Sequence, residues 1–126
     1  MPAQLEHANY TVSDPAATAA WMGDVFGWHI RWEGDAMMGG HTKHVGTRTS
    51  YVALYSPGTP FKMRTDHHTT INGLNHIAVV VDDLDATEKA ALAQGLKTMN
   101  HADYEPGRRF YFHDHDGIEY EVVKYD

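Results

Sequence analysis

The chain has no cysteine among its 126 residues. That excludes a disulfide framework, a zinc–thiolate centre and a cysteine nucleophile, and leaves the redox compartment open. Basic charge is scarce as well. Ten Lys and Arg face 17 Asp and Glu, a formal charge of −7 that would repel a phosphate backbone, so no nucleic-acid partner is expected. No stretch approaches the roughly 20 consecutive apolar residues that span a bilayer. The N-terminal MPAQLEH lacks the basic and apolar regions of a secretion signal. These absences predict a soluble cytoplasmic protein with no membrane partner.

Apolar residues make up 42% of the chain, enough for one compact domain to fill a core without covalent help. Histidine is abundant, with ten copies, and neutral imidazole is a common ligand for transition metals. The placement of these histidines carries more information than their number.

An internal repeat organises the sequence. Leu5-Glu6-His7-Ala8-Asn9-Tyr10-Thr11-Val12 recurs as Leu74-Asn75-His76-Ile77-Ala78-Val79-Val80-Val81, and both copies run into acidic, alanine-rich segments. Each opening stretch reads as a strand, and each following stretch has helical spacing. Asp14 is a natural N-cap ahead of Pro15, with Ala17, Trp21 and Val25 at four-residue intervals and Gly27 as the stop. In the second copy Asp83 or Asp85 caps, Leu84, Ala91 and Leu92 supply the stripe, and Gly95 closes.

Three strand candidates follow each helix, at about 28–34, 41–47 and 50–55, then about 97–104, 109–113 and 118–124. Gly39-Gly40, Glu105-Pro106-Gly107 and Asp116-Gly117 supply turns between them. The pattern predicts an α+β fold of two tandem βαβββ modules, forming an open cup-shaped mixed sheet with the helices outside. Residues 1–126 are one domain, with module 1 at about 1–56, a linker at about 57–73 and module 2 at about 74–126.

Strand side chains alternate, so His7 shares a face with Asn9 and Thr11. His76 occupies the equivalent place, with Ile77, Val79 and Val81 turned toward the helix. A lone strand histidine is more often structural than a ligand. Two at matched positions point instead to a symmetric metal site.

The Leu-x-His openings and the segment Phe110-Tyr111-Phe112-His113-Asp114-His115-Asp116-Gly117-Ile118-Glu119-Tyr120-Glu121-Val122 resemble the vicinal oxygen chelate superfamily of glyoxalases, bleomycin-resistance proteins and extradiol dioxygenases. The resemblance covers nearly the whole chain. The family's Asp-Pro-Asp-Gly turn is kept here except that His115 replaces proline. The resemblance implies a metal-binding glutamate at Glu121 and hence a set of His7, His76 and Glu121, with Glu121 also the catalytic residue. Two imidazoles and a carboxylate leave coordination positions open for substrate oxygens. Zn, Fe, Mn, Ni and Co all suit such ligands.

Glyoxalase I enzymes take a further carboxylate from the last strand of the first module. Here that strand reads Ser50-Tyr51-Val52-Ala53-Leu54-Tyr55, and the corresponding side chain is Val52 or Ala53. Neither binds metal, which argues against the two-carboxylate mechanism and toward the pattern of extradiol dioxygenases and fosfomycin-resistance transferases.

The other histidines read more simply. His41 and His44 fall on opposite strand faces, and His67, His68, His101, His113 and His115 occupy turns, linker or strand ends where solvation is the ordinary explanation. Asn9, Arg109, Tyr111 and His113 are candidates to line the substrate cavity. Of Arg108 and Arg109, neighbours on a strand, only one can face an anionic ligand. Trp21, Phe26, Trp28, Trp32 and Phe61 read as packing residues.

The resemblance implies a homodimeric enzyme in which a divalent metal chelates a small oxygenated substrate for isomerisation or lyase chemistry, dioxygenation, or thiol addition to an epoxide. The alternative is a non-catalytic protein that binds a small molecule such as an antibiotic. His7 would come either from the same subunit as His76 and Glu121 or from a second one.

Overall fold

A computed structural model of the chain describes residues 1–59 and 62–126. Phe61, expected as a packing residue, lies outside the described residues. The described chain divides into two units, Met1–Lys62 and Met63–Asp126, each a βαβββ module with its own four-stranded mixed sheet. Among the described residues no helix is long and apolar enough to cross a membrane.

The first unit contains β1 (His7–Thr11), α1 (Pro15–Phe26), β2 (His29–Ala36), β3 (Gly40–Gly46) and β4 (Tyr51–Ser56). Its strand order is β1-β4-β3-β2, with β1 parallel to β4 and the other pairs antiparallel. Asp14 caps α1 as expected, its Oδ1 accepting from Ala16 N at 3.0 Å and Ala17 N at 3.3 Å. Gly27 ends the helix at φ 73°, a left-handed conformation that a Cβ would disfavour.

The buried stripe of α1 is Thr18, Trp21, Met22 and Val25, spaced i, i+3, i+4, i+7. Ala17, expected on that stripe, is exposed, because Trp21 and Met22 together rotate the buried face away from it. The stripe packs on β2, β3 and β4 against Val45, Val52 and Leu54. Phe26 rests between Trp21 at 5.5 Å and Trp28 at 4.8 Å, so these aromatics do pack together. Trp32 does not share that packing. It is 52% exposed, on the sheet face opposite the helix beside His44 at 5.1 Å.

The second unit repeats the plan with β5 (Ile77–Val80), α2 (Leu84–Ala93), β6 (Lys97–Tyr104), β7 (Gly107–His113) and β8 (Glu119–Tyr125), in the order β5-β8-β7-β6. Asp83 rather than Asp85 is the cap, accepting from Ala86 N at 3.0 Å. Leu84 and Ala91 are buried, but Leu92 is 53% exposed, and Thr87 completes the inward face in its place. Helix α2 covers β6, β7 and β8. Beneath it Phe110, Phe112, Tyr120 and Val122 are fully buried, with Phe112 stacked on its cross-strand partner Tyr120 at 5.4 Å.

The β7–β8 turn is held by one side chain. Asp114 Oδ1 accepts from Asp116 N at 2.9 Å and Ile118 N at 3.0 Å. Gly117 takes φ 78°, so the Asp-Gly signal acts as expected, and His115 in place of proline leaves the turn intact.

Candidate metal and substrate site

Alternation along β7 and β8 decides what the open face of the second sheet carries. Phe110 and Phe112 point toward α2, so Arg109, Tyr111 and His113 point away from it. On β8, Tyr120 and Val122 face the helix and Glu119 and Glu121 do not. The register pairs Tyr111 with Glu121 and His113 with Glu119. His76 immediately precedes β5, and Ala78, two residues on, pairs with Glu121. The sheet therefore brings His76, Glu121, Arg109 and Tyr111 to one place.

Glu121 is the centre of that group and only 8% exposed. Its Oε1 lies 3.1 Å from His76 Nε2, and its Oε2 accepts from Arg109 Nη1 at 2.9 Å. Arg109 lies over the Tyr104 ring at 4.6 Å. Burial works against the guanidinium's charge, but the Glu121 hydrogen bond and the surrounding negative groups outweigh it and raise its pKa. Arg108 faces the other way, toward Asp85 on α2 at 3.7 Å. Of the arginine pair, Arg109 is the one on the open face. The Tyr111 ring meets His76 edge-on at 5.8 Å, and burial, followed by the negative charge of Glu121, pushes its phenol above the usual value.

Glu119 forms a second cluster on the same face. Its Oε1 is 3.1 Å from His113 Nε2 and 3.2 Å from His68 Nε2, and its Oε2 is 3.8 Å from His76 Nδ1. His68, His113 and Glu119 border a cavity of about 420 Å³ in the second unit that also takes in Arg64, Asn75 and Asp116. Sequence reasoning named His113 and left His68 to solvent. It missed Glu119, although a carboxylate two residues before Glu121 on a strand must share its face, so the period-two pattern was the signal. His68 had no such signal, because its position depends on the path of the linker.

In the first unit β1 exposes His7, Asn9 and Thr11 on one face, as expected. Around His7 the open face is aromatic. Tyr51 stacks on His7 at 4.8 Å and on His44 at 4.7 Å, and Arg31 lies over the Tyr51 ring at 4.3 Å. Burial, then the proximity of His7 and Arg31, lowers the pKa of His44. His41 pairs with Ser56 and His44 with Ala53, so they do not share a face.

The paired registers settle which residue of β4 corresponds to Glu121. Asn9, two residues after His7, pairs with Ala53, as Ala78, two residues after His76, pairs with Glu121. Ala53 is therefore the counterpart, and Tyr51 is the counterpart of Glu119. The first unit carries no acid at the carboxylate position. Among the described residues no three His, Asp or Glu side chains converge in a metal-holding arrangement. Of the expected set, the structure brings His76 and Glu121 together and describes His7 within its own unit.

Two four-stranded mixed sheets, each from a βαβββ module, with histidine at the opening strand and a carboxylate near the chain end, define the class of protein. The sequence model of the Glyoxalase/Bleomycin resistance protein/Dioxygenase superfamily matches residues 4–122, and the chain belongs to that superfamily. No curated protein matches the sequence. Among solved structures, it is similar to a glyoxylase/bleomycin resistance protein/dioxygenase domain from Frankia sp. EAN1pec, at 19% identity and a TM-score of 0.83, covering 100% of this chain and 94% of that one. It is also similar to the fosfomycin resistance protein FosX from Listeria monocytogenes, at 20% identity and a TM-score of 0.76, covering 100% and 96%. A FosX structure complexed with Mn(II) and sulfate matches at 18% identity and a TM-score of 0.73, covering 100% and 95%. At these identities the likeness establishes the fold.

Proposed function

We propose that the protein is an enzyme that holds a divalent metal ion with His7, His76 and Glu121 and acts on a small substrate with neighbouring oxygens. The observation that carries this reading is the 3.1 Å separation of His76 Nε2 and Glu121 Oε1. Two donors that each sit about 2.0–2.2 Å from one ion, at tetrahedral to octahedral angles, are separated by about 2.8–3.6 Å. The donor set also fits chemically. Arg109 occupies Oε2 and leaves Oε1 beside the imidazole. The ion would supply Lewis acidity toward a substrate oxygen.

The surrounding side chains have roles of their own. Arg109 holds the Glu121 carboxylate in place from the far side of the imidazole. Tyr111, whose pKa is raised, keeps its phenolic proton at neutral pH and donates it as a hydrogen bond to an oxyanion. Asn9 and His113 supply polar contacts to the substrate. The Mn(II) in the similar FosX structure makes manganese the first ion to try, with Zn, Fe, Ni and Co beside it. We place the active form as a homodimer.

The test is elemental analysis after loading with divalent ions and desalting. Wild-type protein should retain metal stoichiometrically, and His76→Ala and Glu121→Ala should lose it. Retained iron would favour oxygenase chemistry, and manganese, nickel or zinc would favour lyase or transferase chemistry. If the wild type retains no ion, the metal reading fails. A second reading, capture of a cationic planar drug without catalysis, draws support from the aromatic row of Trp32, His44, Tyr51 and His7 on the first sheet and the charge of −7. It predicts ligand binding that a chelator leaves unchanged.

A further inference from the structure

The two histidines offered to the metal share a local arrangement, built twice from different residues. His7 Nδ1 lies 2.9 Å from Glu6 Oε1, and His76 Nδ1 lies 2.7 Å from Asn75 Oδ1. In each module the residue just before the histidine turns a side-chain oxygen back onto the nearer ring nitrogen. The repeat thus preserves a contact whose chemical partner has changed from carboxylate to amide.

Each contact is held from outside. Tyr51 donates its hydroxyl to the same Glu6 oxygen at 3.3 Å while its ring stacks on His7, the planes 15° apart. At the second site Glu119 Oε2 stands 3.8 Å behind His76 Nδ1. An ionised carboxylate only accepts hydrogen bonds, so Glu6 requires a proton on His7 Nδ1. His76 differs, because acceptors face both its ring nitrogens, Asn75 Oδ1 at Nδ1 and Glu121 Oε1 at Nε2. In a neutral imidazole the proton sits on one nitrogen and the lone pair on the other, and the partner of one nitrogen decides which.

We propose that Glu6 is a positioning residue that holds the ring proton of His7 on Nδ1, and so presents Nε2 of that ring as the lone-pair donor to a metal ion. The proposal rests on the metal reading above. It assigns the tautomer and the ring orientation of His7 to a residue that touches no ion itself, the arrangement by which outer partners tune metal-bound histidines.

The test reads the tautomer without metal. Long-range ¹H–¹⁵N spectra of the metal-free full chain, at a pH where His7 is neutral, should show His7 with its proton on Nδ1. Glu6→Ala should shift it toward Nε2–H, and Glu6→Gln, which keeps an acceptor oxygen, should restore it. Glu6 is exposed, so Glu6→Ala should leave the circular dichroism spectrum unchanged. In titrations with Mn(II) and Zn(II), Glu6→Ala should weaken binding roughly 10- to 100-fold, with Glu6→Gln recovering most of it. Wild-type His7 found as Nε2–H overturns the proposal whether or not metal binds, as does an affinity unmoved by Glu6→Ala. An Nδ1–H tautomer in a protein that binds no metal upholds the tautomer assignment and overturns the metal reading alone.

Discussion

Asp114 illustrates how one side chain in this protein serves structure at an electrostatic cost. Its Oδ1 accepts two backbone hydrogen bonds that close the β7–β8 turn, while burial pushes its carboxyl pKa up despite those bonds. Asp114→Ala loses the acceptor of both bonds and should destabilise the protein by about 1–3 kcal/mol in urea unfolding. Asp114→Asn keeps an acceptor and removes the buried charge, so its loss should be smaller. Because the folded-state pKa lies above the model-peptide value of 3.8, the folded state holds this proton longer than the unfolded chain does. The stabilisation is fully present below the unfolded value and is lost as pH rises through the folded one. The stability difference between wild type and Asp114→Asn should therefore shift against the wild type as pH increases across that window.

Helix ends and strand registers are the features that position the site. Asp14 satisfies two amides at the start of α1, so Asp14→Ala should cost about 1 kcal/mol, and Asp14→Ser should cost less. Thermal or urea unfolding measures both. In the second unit Phe112 fills the space between α2 and the sheet with no exposure, and Phe112→Ala should cost about 3–5 kcal/mol by the same measurement. These elements were legible in the sequence because their causes are local: a capping Asp, a Pro at the first helical turn, a Gly at the end, and alternation in strands. Ala17 and Leu92 were misplaced because a helical stripe of four-residue steps drifts around the helix, and packing of Trp21, Met22 and Thr87 decides which side is inward. Trp32 was misplaced for a related reason. An aromatic in a strand packs on whichever face its register gives it, and a register shift between Ile30 and Trp32 resets that face.

For the whole molecule, the proposed metal site can take His7 from the same chain as His76 and Glu121 or from a second copy, and one measurement separates the two. If His7 completes the site of a second copy in a homodimer, co-refolding His7→Ala with His76→Ala should regenerate intact sites. Each mixed dimer then carries one site with both wild-type histidines and one with neither, so random mixing should restore about a quarter of the metal bound by wild type. If each site lies within one chain, no combination restores any. Metal content and size-exclusion mass of the mixture, compared with each variant alone, distinguish the two arrangements.

By itself the sequence determined the repeat, the two βαβββ modules, the histidine at each opening strand and the carboxylate near the end, because spacing and residue type encode them locally. Tertiary structure decided the rest. Cross-strand register made Ala53 the counterpart of Glu121 and set Arg109 on its second oxygen. The path of the linker brought His68 to Glu119. Those contacts join residues distant along the chain, and only the pairing of strands and the packing of loops fixes which distant groups meet.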